Sequence, residues 1–141
     1  MKPFEYYVKN NEVRTTIINE KEIFSLVEDA YRRFTYFSNE TITEINAKFV
    51  FENIYESIRE LLDAILHKKG YKSYSHQASI AFAHEQNLLS QKDAFILDKL
   101  RDLRNKSKYY GKNINPIEAK SNIEEGKRIF SIIKDYLQNK K

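Results

Sequence analysis

The chain has 141 residues, 41% of them hydrophobic, which predicts one domain with its own core. Its net charge of +4 at pH 7 is mild and permits contact with RNA or DNA without requiring it. It contains no Cys, so disulfides and thiolate metal sites are excluded. The sequence lacks an apolar run of about 20 residues and begins with a polar segment, so we expect a cytoplasmic protein without a membrane span or signal peptide.

The N-terminal part, residues 1–18, is predicted to be an extension that precedes the main fold. The segment from Val13 to Ile18 is rich in β-branched residues, which is compatible with a short extra turn or with an extended arm. The main fold is predicted to occupy residues 19–139.

Two long helices are predicted next. The first runs from Glu20 to Ser38, with Asn19 as N-cap and Glu22 three residues later. The second runs from Ile42 to Lys68, begins at a Thr41-x-x-Glu44 capping box and, at about 1.5 Å per residue, would be roughly 40 Å long. Apolar residues recur at helical spacing in both: Ile23, Phe24, Val27, Tyr31, Phe34 and Phe37 in the first, and Phe51, Ile54, Tyr55, Ile58, Leu62 and Ile65 in the second.

Three further helices complete the predicted fold. A short one runs from His76 to Gln86 with Ser75 as cap, and another begins after Ser90. The last begins at Asn115-Pro116, where an N-cap Asn precedes a Pro at the first helical position. Short connections place consecutive helices next to each other in antiparallel orientation. The sequence therefore predicts an all-α, up-and-down bundle of four main helices plus a short helix.

The most informative segment is LRDLRNKSKYYGK, from Leu100 to Lys112. Arg104 borders the apolar stripe of its helix, so its guanidinium is expected at a groove, where it can bind a phosphate or carboxylate in bidentate fashion. The stretch is also basic, which is typical either of a solvated helix face or of a phosphate-binding surface. Its charged residues are Lys99, Arg101, Arg104, Lys106, Lys108 and Lys112, against Asp102.

A tyrosine pair follows Arg104-Asn105. On a continuous helix, residues five apart lie about 140° apart around the axis, so Arg104 and Tyr109 can share a site only if the helix ends or bulges between them. Asn105 and Ser107 are weak helix formers, and Gly111 is suited to a C-cap, so the sequence allows such a break. The alternative is an Arg104 that forms an ion pair with Glu56 or Glu60 of the second helix, with Asn105 capping the helix end.

Other candidate residues carry weaker patterns. His76 at the start of the third helix is either structural or, if it lies near Arg104, a substitute base. His67 and His84 are typical of surface or core histidines, and the three histidines lack the spacing of a zinc site. Three acids of the second helix, Glu56, Glu60 and Asp63, could bind a cation but more often face solvent or lysines. We predict no metal and no cofactor.

This arrangement resembles the HEPN domain family, whose motif is an Arg followed after four to six residues by a His. Arg104 and Asn105 match the motif, and Tyr109 stands at the His position. The likeness extends from about Glu20 to Leu137 and includes Tyr55-x-x-x-Arg59-Glu60-Leu61-Leu62, Gly70-Tyr71-Lys72 and Ser75-His76.

The resemblance implies a dimeric helical bundle. In nuclease members the Arg and His of two subunits face each other and cleave RNA without a metal, and many such members are toxins paired with a nucleotidyltransferase-type antitoxin. A tyrosine, with a pKa near 10, is a poor general base at neutral pH. We therefore expect a homodimeric accessory protein that binds a nucleotide, RNA or a protein partner through Arg104, Asn105, Lys108, Tyr109 and Tyr110.

Two alternatives remain. In the first, the chain is a metal-independent RNase toxin in which Arg104 acts with Tyr109, or with His76. In the second, it is a structural adaptor dimer in which Arg104 is an internal ion-pair partner. An exposed Arg104 beside Tyr109 would favour binding or catalysis, and an Arg104 buried against Glu56 or Glu60 would favour the structural role.

Overall fold

The structure, a computed structural model, describes residues 1–110 and 115–139, without the side chains of residues 108–110. Within these residues it forms six helices and a two-stranded antiparallel sheet. The elements are α1 (Phe4–Lys9), β1 (Val13–Thr15), α2 (Glu20–Ser38), α3 (Ala47–Lys68), β2 (Tyr71–Ser73), α4 (His76–Glu85), α5 (Gln91–Tyr110) and α6 (Pro116–Asn139). The predicted all-α helical bundle is confirmed. None of the helices in the described ranges combines the length and the apolar character needed to cross a membrane.

Helix α3 lies at the centre of the bundle. It contacts α2, α4, α5, α6 and strand β2, so it is buried on almost every side. Helices α2 and α3 are antiparallel. Glu22 at the start of α2 lies near His67 at the end of α3, and Arg33 in the second half of α2 donates a hydrogen bond to Asn53 in the first half of α3. Every residue of the apolar stripe predicted for this helix, from Phe51 to Ile65, is buried.

Four of the predicted helix starts have side-chain caps. An Asn or Ser side-chain oxygen accepts a hydrogen bond from a backbone N–H three residues later, which satisfies a donor that the first turn leaves unpaired. The capping pairs are Asn19 with Glu22 in α2, Ser75 with Ala78 in α4, Ser90 with Asp93 in α5, and Asn115 with Glu118 in α6. These local signals were sufficient to locate the starts of four helices.

The predicted start of the second helix is wrong. Helix α3 begins at Ala47, not at Ile42, and the Thr41-x-x-Glu44 box does not form its start. Instead, the Thr43 N–H donates to Asn46 Oδ1 at 2.8 Å and the Asn46 N–H donates to Thr43 Oγ1 at 3.2 Å. These reciprocal bonds hold residues 43–46 in a turn, because short polar side chains compete with the helical bonds of the backbone.

One member of the apolar stripe predicted for α2 faces solvent. Phe24 is exposed, whereas Ile23 is buried and Val27, Tyr31 and Phe34 pack against the core. Phe24 lies about 100° around the helix from Ile23, so it points away from the face that Ile23 buries.

Residues 1–18 pack onto the bundle. Phe4, Tyr7 and Val13 belong to the buried core, and the Phe4 ring lies edge-on against Tyr71 at 5.3 Å and against Phe82 at 5.0 Å. Strand β1 pairs with β2, with Val13 opposite Ser73 and Thr15 opposite Tyr71. Of the two structures expected for the segment from Val13 to Ile18, an extra turn or an extended arm, residues 13–15 thus adopt the extended one.

Candidate functional site

Helix α5 directs Arg104 inward, against α3. The residue is only 5% exposed, and its Nη2 donates to Glu56 Oε2 at 3.2 Å. Its guanidinium carbon lies 5.8 Å from the centre of the Tyr55 ring, one residue before Glu56 on α3. Arg104 is therefore held by a carboxylate and an aromatic face, which is the ion-paired arrangement predicted as the alternative to an open binding residue.

Glu56 is shared by two arginines. Besides Arg104, it accepts from Arg59, whose Nε lies 3.1 Å from each carboxylate oxygen, and Arg59 in turn donates to Asp63 at 3.3 Å. Burial acts to raise the pKa of Glu56, but the hydrogen bond and charge of Arg59 and the charge of Arg104 outweigh it, so the pKa is lowered. An ionised carboxylate thus links α5 to α3 through a chain of alternating charges.

Asp63 lies at the other end of this chain. Burial raises its pKa to about 6, against the opposing effect of the nearby Arg59 guanidinium. The acids Glu56, Glu60 and Asp63, noted in the sequence for their spacing, each contact an arginine.

The structure also brings His76 to this region. Its ring lies 6.0 Å from the Tyr55 ring, the same ring that lies beneath Arg104. Burial, followed by the positive charges of Arg59 and Arg104, lowers the pKa of His76 to about 4. His76 is therefore neutral at pH 7, with one ring nitrogen able to donate and the other able to accept a hydrogen bond.

A second polar network joins α2 to α3. Arg33 donates to Glu60 at 2.9 Å, to Asn53 at 2.9 Å and to Asp29 at 3.1 Å. Burial and the hydrogen bond to Asp29 raise the pKa of Glu60 to about 7, although Arg33 opposes the shift. Asp29 has a lowered pKa, chiefly because of its hydrogen bond with Glu60 and then of that with Arg33.

The two networks border one cleft, which we call the Arg104 groove. It has a volume of about 230 Å³ and is lined by Arg33, Glu52, Asn53, Glu56 and Arg104. The Ser107 hydroxyl of α5 donates to Glu52 at 2.6 Å and closes one side. Charges of both signs therefore line a single small groove between α2, α3 and α5.

The other residues predicted for the site have different outcomes. Asn105 is half-buried within α5, and the side chains of Lys108, Tyr109 and Tyr110, like Gly111 and Lys112, lie outside the described residues. The break between Arg104 and Tyr109 that the sequence allows is not formed, because α5 is helical from Gln91 to Tyr110, and Asn105 therefore does not cap the end of the helix. The weak helix propensity of Ser107 is offset by its buried bond to α3.

The basic residues of α5 face several directions. Arg101 pairs with Asp98 at 2.8 Å, and Lys106 pairs with Asp102 at 2.9 Å on the exposed side. Lys99 is exposed, with its ammonium over the Phe95 ring. Among the basic side chains that the structure describes, Lys99 and Lys106 thus lie on a solvated face, whereas Arg101 and Arg104 are largely buried.

Sequence reasoning missed Arg33, Glu52 and Asn53 as members of the groove, and it missed Ser107 as the hydrogen-bond partner of Glu52. A signal for the α3 residues was present, because polar residues interrupt this otherwise apolar helix at positions 52, 53, 56, 59, 60 and 63, at helical spacing. His67 and His84 have structural roles: His67 Nε2 accepts from the Asn19 N–H, and His84 Nδ1 lies 3.0 Å from the Leu89 carbonyl oxygen.

Comparison of the chain with protein-family models gives no match, and comparison with curated proteins gives none either. The interpretation of the Arg104 groove therefore depends on its own contacts, burial and charges.

Proposed function

We propose that this chain is a non-catalytic, HEPN-like structural adaptor that acts as a homodimer, in which a second copy of the chain binds over the Arg104 groove. The observation that carries the proposal is the state of Arg104, which is 5% exposed and bonded to Glu56. An arginine already neutralised by a buried carboxylate stabilises the packing of α5 on α3 and is a poor phosphate ligand.

The acids of the groove also disfavour a nucleotide. A phosphate that reached Arg104 would lie beside Glu56 and near Glu52. Like charges about 4 Å apart repel by about 4 kcal/mol at the effective dielectric constant of a protein surface, which would cancel most of the attraction of one arginine. A protein surface that presents both signs of charge suits the groove better.

A second copy meets that requirement. In a two-fold dimer the same surface occurs on both sides, so a groove with two arginines and two glutamates can complement itself. Two exposed aromatic rings flank the groove: Phe49 one turn before Asn53 on α3, and Tyr36 one turn after Arg33 on α2. Exposed aromatic side chains beside a charged centre are typical of interface anchors. The resemblance to HEPN domains independently favours a dimer.

Sedimentation equilibrium tests the proposal. The native chain should show a reversible dimer. Phe49→Glu should weaken dimerisation at least tenfold, because each subunit would then bury a carboxylate in the interface where the native dimer buries an aromatic ring. Ile117→Glu is the matched control, since Ile117 is also exposed but lies at the start of α6. A monomeric native chain at all concentrations, or equal weakening by both substitutions, would contradict the proposal.

A second candidate function, RNA cleavage by a toxin with a nucleotidyltransferase-type antitoxin, is favoured by one observation. Neutral His76 packs on the ring that lies beneath Arg104. We expect no cleavage when the native chain is incubated with structured RNA in EDTA. Metal-independent cleavage that is lost in both His76→Gln and Arg104→Ala would establish the nuclease instead.

A further inference from the structure

A surface outside the Arg104 groove pairs exposed aromatic rings with cations. We call it the aromatic strip and define it by Tyr6, Tyr74 and Phe95 with the cations Lys2, Arg14 and Lys99. The rings are 42%, 62% and 60% exposed, respectively. Lys2 Nζ lies 5.2 Å from the Tyr6 ring centre, the Arg14 guanidinium carbon 5.6 Å from that of Tyr74, and Lys99 Nζ 4.6 Å from that of Phe95.

These three ring–cation pairs are connected along the surface. Met1 lies in two adjoining clefts, one lined also by Phe95 and the other lined also by Tyr6 and Glu12. The carbonyl of Glu12 accepts from the Tyr74 N–H at 2.8 Å, which places Tyr74 next to the second cleft. Phe95, Tyr6 and Tyr74 therefore follow one path, from α5 across α1 to the sheet.

Charge along this path favours an anionic ligand. Lys92 lies in the same cleft as Phe95 and adds a fourth cation to Lys2, Arg14 and Lys99. The clefts also contain Glu12 and Asp98, but Asp98 is paired with Arg101 at 2.8 Å. The strip thus has an excess of positive charge and shares no residue with the Arg104 groove.

We infer that the aromatic strip binds single-stranded nucleic acid, a property that goes beyond the proposed dimer. Every base has an aromatic face, so exposed rings can stack successive bases without reading their sequence, while nearby cations neutralise the phosphates. A single exposed ring needs no explanation, but three on one path, each beside a cation, match the pattern of aromatic platforms interleaved with basic residues.

Fluorescence anisotropy tests the inference directly. The probes are a labelled 12-nucleotide oligouridylate and its 2′-deoxy counterpart, in EDTA and low salt. Native protein should bind, and Tyr6→Ala, Tyr74→Ala and Phe95→Ala should each weaken binding about tenfold, because each removes one stacking platform. With three cations engaged, the slope of log affinity against log salt should be about −2.

Phe24→Ala is the matched control, since Phe24 is an equally exposed ring on α2, outside the strip. Its affinity should equal that of the native protein. Equal binding of both probes supports recognition by stacking and phosphate contacts, and binding of the RNA probe alone supports RNA as the ligand with a contribution from the 2′-hydroxyl groups.

Three results would overturn the inference: no binding by the native protein, unchanged affinity in all three strip variants, or an equal loss in Phe24→Ala. Thermal unfolding followed by circular dichroism identifies any variant that fails to fold. Lys99→Gln then replaces that variant in the comparison, and it should weaken binding and make the salt slope less negative by about 0.7. An unchanged salt slope in Lys99→Gln would also overturn the inference.

Discussion

The ion pair between Arg104 and Glu56 can be tested by a double-mutant cycle of Arg104→Met, Glu56→Gln and the double variant. The two side chains are 6% and 19% exposed, and their closest atoms are 3.2 Å apart. Removing one partner of a buried pair costs about 3–5 kcal/mol of unfolding free energy. Arg104→Met should lie near the lower end, because Glu56 keeps Arg59 as a partner.

Glu56→Gln should be the more damaging of the two substitutions, at about 4–5 kcal/mol, because it leaves Arg104 facing a neutral amide and Arg59 with Asp63 as its remaining acid. The double variant removes the Arg104 charge as well. Its loss of unfolding free energy should therefore be about 2 kcal/mol smaller than the sum of the losses of the two single variants.

Urea unfolding at pH 7 and fixed protein concentration gives all four free energies by linear extrapolation. Because the pair is largely buried, the coupling should change little in 0.5 M salt. A neutral or stabilising Arg104→Met with a coupling near zero would refute the structural role, because it would mean that Arg104 is kept for a ligand at a cost in stability.

Three further predictions concern single residues. The folded pKa of Glu60, about 7, lies above its reference value of 4.5, so the stability that protonation contributes is complete below pH 4.5 and lost as the pH rises through 7. Gln cannot ionise, so the unfolding free energy of Glu60→Gln relative to that of the native chain should rise by up to about 3 kcal/mol between pH 4.5 and pH 8, as measured by urea unfolding. A difference that does not depend on pH would contradict the raised pKa of Glu60. Asn115→Ala should lower the unfolding free energy by about 1 kcal/mol, against no change for the exposed Lys120→Ala, because it removes the cap of α6. An NMR titration should give the His76 ring a midpoint near pH 4, and a midpoint above 6 would contradict the burial of the ring beside Tyr55.

The helices were predictable because their signals are local. Asn19, Ser75, Ser90 and Asn115 cap the helices that the sequence assigned to them, and the apolar period of α3 matches its buried face. The start of α3 was mispredicted for an equally local reason. The predicted capping box of Thr41 and Glu44 overlaps in sequence with the pair Thr43 and Asn46, whose hydrogen bonds form a turn instead.

The sheet and the groove were less predictable because they depend on contacts far apart in the sequence. The pairing of Val13 with Ser73 joins residues 60 positions apart in the sequence. The ion pair of Arg104 with Glu56 could be predicted, because Arg104 borders the apolar face of its helix. The contacts of Arg33 and His76 with α3 depend on how α2 and α4 pack on it. Such packing is determined by the whole core and is not encoded in any short segment.

Hydroxyl-radical footprinting at protein concentrations below and above the dimer dissociation constant would test the proposed function most directly. It reports the solvent exposure of individual aromatic side chains, and Tyr36 and Phe49 beside the Arg104 groove are both exposed in the single chain. We predict that both lose reactivity as concentration rises, while Tyr74 and Phe95 on the aromatic strip remain reactive. Unchanged reactivity of Tyr36 and Phe49 in a chain that does dimerise, or protection of Phe95 instead, would contradict binding of a second copy over the groove.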